Sequence, residues 1–137
     1  MAYEIRKVEM WETAIEDRPG GLADRLEPLA KGKHNCDFML ARRGGEGSGV
    51  LYLALSKGGA KAATAAGLGK PADLFALRVE GPDKPGLCAK AARIVGDSGI
   101  SMRGLNGVVC GRKCVMHVAF TTSDDAAKAQ KLLKKGL

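Results

Sequence analysis

The sequence predicts an α+β fold made of two tandem ferredoxin-like βαββα units, each an antiparallel sheet with its helices on one face. Three repeated features carry that expectation: a Pro-Gly corner, an amphipathic stripe and an apolar strand, all in one register. Asp17-Arg18-Pro19-Gly20-Gly21-Leu22 recurs as Asp83-Lys84-Pro85-Gly86-Leu87, offset by 66 residues at the proline and by 65 at the leucine, because one residue is dropped. Beyond that deletion Leu22, Leu26, Leu29 and Ala30 fall on Leu87, Ala91, Ile94 and Val95, the i, i+4, i+7, i+8 spacing of a helix with one buried face. Val50-Leu51-Tyr52-Leu53-Ala54-Leu55 then falls on Val115-Met116-His117-Val118-Ala119-Phe120, again at 65. One such match could be chance, but three in a common register are a duplication.

Each half reads the same way from its start. An apolar, β-rich stretch opens it, Val8 to Ile15 in the first and Leu74 to Val79 in the second. The Pro-Gly pair turns the chain, because proline fixes φ for a first helical turn and glycine accepts backbone angles that other residues resist. The helices that follow are expected to stop near Gly32 and Gly99, with Pro28 kinking the first or shortening its last turn. Asn35 to Arg43 and Ile100 to Cys110 are the next strands, each returning through a glycine-bearing turn, Gly44 to Gly49 and Gly111-Arg112-Lys113. A second helix closes each copy, one around Ala60 to Ala66 and one opened by Ser123 as N-cap, with Asp124 and Asp125 in its first turn and lysines near its end. Gly67-Leu68-Gly69-Lys70-Pro71 has linker composition, which divides the chain into domains 1–70 and 71–137.

A ferredoxin-like unit normally has a fourth strand, and none follows the last helix before Leu137. The open edge calls for pairing, either by the N-terminal segment Tyr3 to Val8 or by another subunit. In the third strand of the sheet, Leu51, Leu53, Met116 and Val118 define one strongly apolar face. The opposite face, with Val50, Tyr52, Ala54, Val115, His117 and Ala119, is itself too apolar for free water and is expected to lie in an interface.

The turn Asp-(Arg or Lys)-Pro-Gly-x-Leu, read within Val79-Glu80-Gly81-Pro82-Asp83-Lys84-Pro85-Gly86-Leu87, resembles that of the ACT domain family, specifically its small tandem proteins. Asp97-Ser98-Gly99-Ile100-Ser101 is similar to the family's Gly-Ile-Asn passage, with Ser101 in place of the asparagine. The resemblance runs from about Val8 to the end of the chain. It implies a non-catalytic regulatory protein that binds a small ligand, commonly an amino acid, where the first loop and helix of one domain meet a strand of a neighbour. It also implies allosteric control, a homo-oligomer, and a biosynthetic enzyme as the partner controlled.

The chemistry of the corner agrees with such a ligand. A helix N-terminus presents unpaired N–H groups and the positive end of a dipole, both suited to a carboxylate. An aspartate beside it can accept hydrogen bonds from an α-ammonium group. Asp17, Gly20, Gly21 and Leu22, with Asp83, Gly86 and Leu87, are therefore the candidate ligand contacts. The same residue types also serve a bare strand-to-helix corner, where aspartate caps and glycine relieves strain. The extra Gly21 marks a difference between the copies that can separate a binding loop from a scaffold loop.

Composition narrows the remaining classes. Of the 137 residues, 45% are hydrophobic, 27% charged and only 4% aromatic, as in a globular protein with an aliphatic core. The first ten residues carry Glu4, Arg6, Lys7 and Glu9, so no signal-type or membrane-spanning stretch is present and a cytoplasmic protein is expected. A net charge of +7 leaves a basic RNA-binding ferredoxin-like module as the alternative function, disfavoured because the strands lack aromatic and basic runs. No nucleophile and base pair supports an enzyme. Four cysteines, Cys36, Cys88, Cys110 and Cys114, are too unevenly placed for a disulfide framework. Cys110 and Cys114 are expected to face one another across their turn, near enough for a disulfide or half a metal site. Zinc would need two more ligands, and His34, Cys36, Cys88 and His117 lie in other elements, so no metal and no cofactor are expected.

Overall fold

The chain enters as a strand that belongs to its far end. In a computed structural model, which describes residues 3–56 and 59–137, β1 (Glu4–Val8) pairs antiparallel with β5 (Phe75–Pro82), from Glu4 opposite Glu80 to Val8 opposite Ala76. The chain then leaves that sheet through Glu9 and Met10. The stretch predicted as one strand from Val8 to Ile15 is thus two, because Val8 ends β1 whereas β2 (Trp11–Glu16) starts a different sheet.

The duplicated elements follow in the expected order. The unit Glu9–Ala72 contains β2, α1 (Gly21–Lys31), β3 (Cys36–Arg43), β4 (Ser48–Leu55) and α2 (Ala60–Ala65). The other unit joins the segment ending at Val8 to Asp73–Leu137, and contains β1, β5, α3 (Leu87–Asp97), β6 (Gly104–Cys110), β7 (Lys113–Phe120) and α4 (Ser123–Gly136). Both are α+β and ferredoxin-like, with antiparallel sheets and helices packed on them.

In the second unit the sheet order is β1-β5-β7-β6. β1 occupies the edge position beside β5 that a fourth strand takes in a ferredoxin-like unit. Three observations show how it is held: Ile5 is 4% exposed within the core, Gln130 donates to the Ile5 carbonyl at 3.1 Å, and the Tyr3 hydroxyl donates to the Pro82 carbonyl at 2.6 Å. The first unit has three strands, β2-β4-β3. The outer edge of its β2 is met at one point, where Glu12 and Gly69 exchange backbone hydrogen bonds of 2.7 and 2.9 Å.

Each unit has its own core. Trp11, Leu29, Leu51, Leu53, Ala63 and Leu68 form that of the first, with Leu22 and Leu26 partly buried against it. Leu77, Val79, Ala91, Val95, Met116, Val118, Phe120 and Leu133 lie in that of the second. The predicted stripe holds fully in α3, whereas in α1 Ala30 is exposed. Pro28 sits inside α1 without ending it, since the Gly32 N–H still reaches the Pro28 carbonyl at 3.3 Å. The alternation along β4 and β7 follows the sequence pattern: Leu51, Leu53, Met116 and Val118 are fully buried. On the other face Ala54 and His117 are buried and Val50, Tyr52, Val115 and Ala119 partly so.

Two local expectations need correction. The N-cap of α4 is Thr122, not Ser123: Thr122 has extended backbone angles and its hydroxyl accepts from the Asp125 N–H at 3.1 Å. The strand expected from Ile100 starts only at Gly104, because Ile100 is spent in the core and pairing with β7 begins at Gly104 opposite Ala119.

Candidate ligand-binding corner

The two Pro-Gly corners share a backbone. Gly20 and Gly86 both have φ of +83°, in the left-handed region that a side chain disfavours, and each ends the turn that launches a helix. The Asp24 N–H then reaches the Gly20 carbonyl at 3.0 Å, and the Lys90 N–H reaches that of Gly86 at 2.9 Å. Gly21 and Leu87 N–H groups turn back on Arg18 and Lys84 at 3.0 and 3.1 Å. Between them Leu22 and Ala23, and likewise Cys88 and Ala89, have amides with no backbone acceptor among the described residues.

The side chains treat these matching frames differently. In the first corner the Arg18 guanidinium lies across the turn, paired with Glu16 on one side and Asp24 on the other and donating to the Pro19 carbonyl at 3.1 Å. Those two carboxylates raise the pKa of Arg18 still further, chiefly through the hydrogen bond to Glu16 and then that to Asp24. Asp17 is held by Arg43 at 2.6 Å. Gly21 is buried so tightly that a Cβ there would come within 2.2 Å of the Glu16 carbonyl oxygen. Leu22 is partly buried in the core.

In the second corner lysine replaces that arginine, and no such lattice forms. The Asp83 backbone N–H is anchored on the Arg112 carbonyl at 2.8 Å, but no ion pair or side-chain hydrogen bond holds its carboxylate among the described residues. A Cβ on Gly86 would meet nothing within 4 Å. Leu87 is buried at the head of the helix. Beside this corner runs a groove of about 370 Å³, lined by Asp83, Lys84, Gly86 and Leu87, by Cys88 and by Leu105, Val108 and Val109 of β6. Its lining sets the charged Asp83 and Lys84 beside apolar side chains. β6 is an outer strand, exposed along its whole length, so Leu105, Val108 and Val109 stand uncovered.

A larger cleft of about 590 Å³ lies elsewhere in the same unit, between Glu4, Glu80, Gly81, Pro82, Arg112 and Lys113. Its Glu80 is already matched, accepting from Arg78 at 2.9 Å and lying 3.5 Å from Lys113. The smaller groove has unmatched chemistry, and volume alone does not make a site.

The cysteines are placed otherwise than the sequence predicts. β6 and β7 pair Cys110 with Lys113 and Val109 with Cys114, so Cys110 and Cys114 fall on opposite faces, one exposed and one buried. Cys114 instead shares the lining of the groove with Cys88, at the start of α3. Burial pushes the Cys114 thiol up, with Cys88 and Asp83 adding to it. Burial, then the Asp37 charge, does the same to Cys36. Sequence spacing could not reveal that shared lining, since it joins a helix to a strand across the unit. Among the described residues no three His, Cys, Asp or Glu side chains converge on a metal position, and no helix is long and apolar enough to cross a membrane.

No protein-family model matches the sequence, and no curated protein is significantly similar to it. Solved structures are. A Bacteroides thetaiotaomicron protein superposes with a TM-score of 0.78 at 17% identity, over 95% of this chain and 90% of that one. The ligand-free regulatory subunit of aspartate kinase from Thermus thermophilus gives 0.66 at 16% identity, over 99% and 95%. This chain shares their fold. The aspartate kinase from Synechocystis matches over 98% of this chain but only 26% of its own, with a TM-score of 0.66 and 15% identity. The same fold therefore occurs both as a chain of about this length and as part of a longer enzyme.

Proposed function

We propose that the chain is a non-catalytic regulatory protein that binds a small amino acid at its second corner and controls a biosynthetic enzyme as a separate subunit. The observation that carries this reading is the contrast between two corners of equal backbone, one laced shut by Arg18, the other open beside an apolar groove. In the second, the Cys88 and Ala89 amides suit a carboxylate, Asp83 an ammonium group, and Leu87 with β6 an aliphatic side chain. Asp17, Gly20, Gly21 and Leu22 act here as scaffold. The likeness to aspartate kinase regulatory subunits supports the regulatory part of the reading, and the uncovered outer strand β6 supports association with a second copy.

A thermal-shift screen of the twenty amino acids tests it, since a ligand bound only by the folded form raises the melting temperature. One or a few aliphatic amino acids are expected to do so. Gly86→Val and Asp83→Asn should abolish the shift, while Asp17→Asn should keep it. Absence of any shift, or loss of it in Asp17→Asn alone, overturns the proposal.

A further inference from the structure

The inner wall of the groove gathers sulfur in a way that binding an amino acid does not use. Cys114 and Met116 are two residues apart on β7, so both point to the same face of the sheet, and both are buried. Cys88, on the first turn of α3, descends on them from the other side. Its Sγ lies 3.4 Å from Met116 Sδ, and Cys88 and Cys114 line the same groove. Gly107, the β6 residue opposite Met116, carries no side chain to separate them: a Cβ there would lie 3.6 Å from Met116 Cγ and 3.9 Å from Cys88 Sγ. Cys88 itself is exposed and lines the groove, so the cluster is reached from solvent.

We propose that Cys88, Cys114 and Met116 form a three-coordinate site for a soft monovalent cation of the Cu(I) or Ag(I) type. The donor set decides the class of ion. Two thiols and a thioether are the ligands that soft cations prefer, and the thioether is not among the thiolate, imidazole and carboxylate donors that zinc uses. Three sulfurs at a metal–sulfur distance of about 2.3 Å stand about 4 Å apart, so the present 3.4 Å contact must open by roughly half an ångström. Methionine, with three rotatable bonds, accommodates such a change. The assignment does not depend on whether the groove takes an organic ligand.

The reduced full-length chain, kept free of oxygen, is titrated with Cu(I) against a chromophoric Cu(I) chelator, and the stoichiometry is read by native mass spectrometry. One ion per chain is expected, protecting two thiols from alkylation. Cys88→Ser, at an exposed position, should abolish competition, and Met116→Leu should weaken it by roughly tenfold or more. A Cys36→Ser/Cys110→Ser double variant should bind as the parent does. Unchanged binding in Cys88→Ser, or its loss in the Cys36/Cys110 variant, overturns the proposal.

Discussion

Two glycines one residue apart in the aligned corners illustrate how differently the same residue type is used. Gly86 is required for its backbone angle alone: with open space around it, Gly86→Ala should cost only the left-handed penalty, about 1–2 kcal/mol. Gly21 is required for contact, since a methyl group would drive into the Glu16 carbonyl, and Gly21→Ala should cost about 3 kcal/mol. Urea unfolding of both variants checks the order, and equal losses would refute it. The cap of α4 gives a second comparison. Thr122→Ala should destabilise by about 1 kcal/mol while Ser123→Ala stays within about 0.5 kcal/mol, because only the Thr122 hydroxyl meets a helix amide. Glu80 supplies a third. The hydrogen bond from Arg78, then its charge and that of Lys113, hold the Glu80 carboxyl below its ordinary 4.5 against the opposing effect of burial. A depressed folded value stabilises above the unfolded one and is lost as pH falls through the folded one. The advantage of the parent over Arg78→Gln in urea midpoint should therefore be full at neutral pH and shrink below about 4.5.

Among the elements, β1 is the one whose place the sequence left open between two solutions. Its residues read as a polar, half-apolar opening, and periodicity cannot tell to which sheet such a strand belongs, since pairing over that separation is a tertiary decision. The structure gives it to β5, with Ile5 in the core of the unit that holds the end of the chain. A fragment of residues 71–137 should consequently be less stable than the same unit in the full chain and should be restored in part by a peptide of residues 3–8. Hydrogen exchange at the β5 amides reads this directly: fast in the fragment, slowed by the peptide. Exchange as slow as in the parent without the peptide would show that β1 is dispensable. The helices and hairpins were far more legible, because their signals are local: the stripe in α3, the glycine turns, the acidic start and basic end of α4. Errors of a few residues arose where tertiary pairing sets the limit, as at Gly104.

At the scale of the whole molecule, the duplication made the architecture readable, because two imperfect copies of one pattern in register outweigh any single motif. It did not make the site readable. Asp17 and Asp83 occupy equivalent places in the sequence, yet one is tied by Arg43 and the other is not. Arg43 makes that tie, and Arg18 adds its own by bridging Glu16 and Asp24 with its fork of donors, whereas the second corner has Lys84 for the arginine and Pro82 and Ala89 for the two carboxylates. Such a lattice depends on three side chains meeting in space, which a linear comparison does not display. The sulfur cluster was hidden for the same reason, with the helix supplying one atom and the strand two.

The placement of the opening strand also orders events during synthesis. Its residues leave the ribosome before those of β5, which are made only about seventy residues later, after an entire unit with its own core has been produced. The pairing of β1 must therefore wait for β5, and a nascent chain stalled before β5 would display the unpaired edge of β1 to any neighbour.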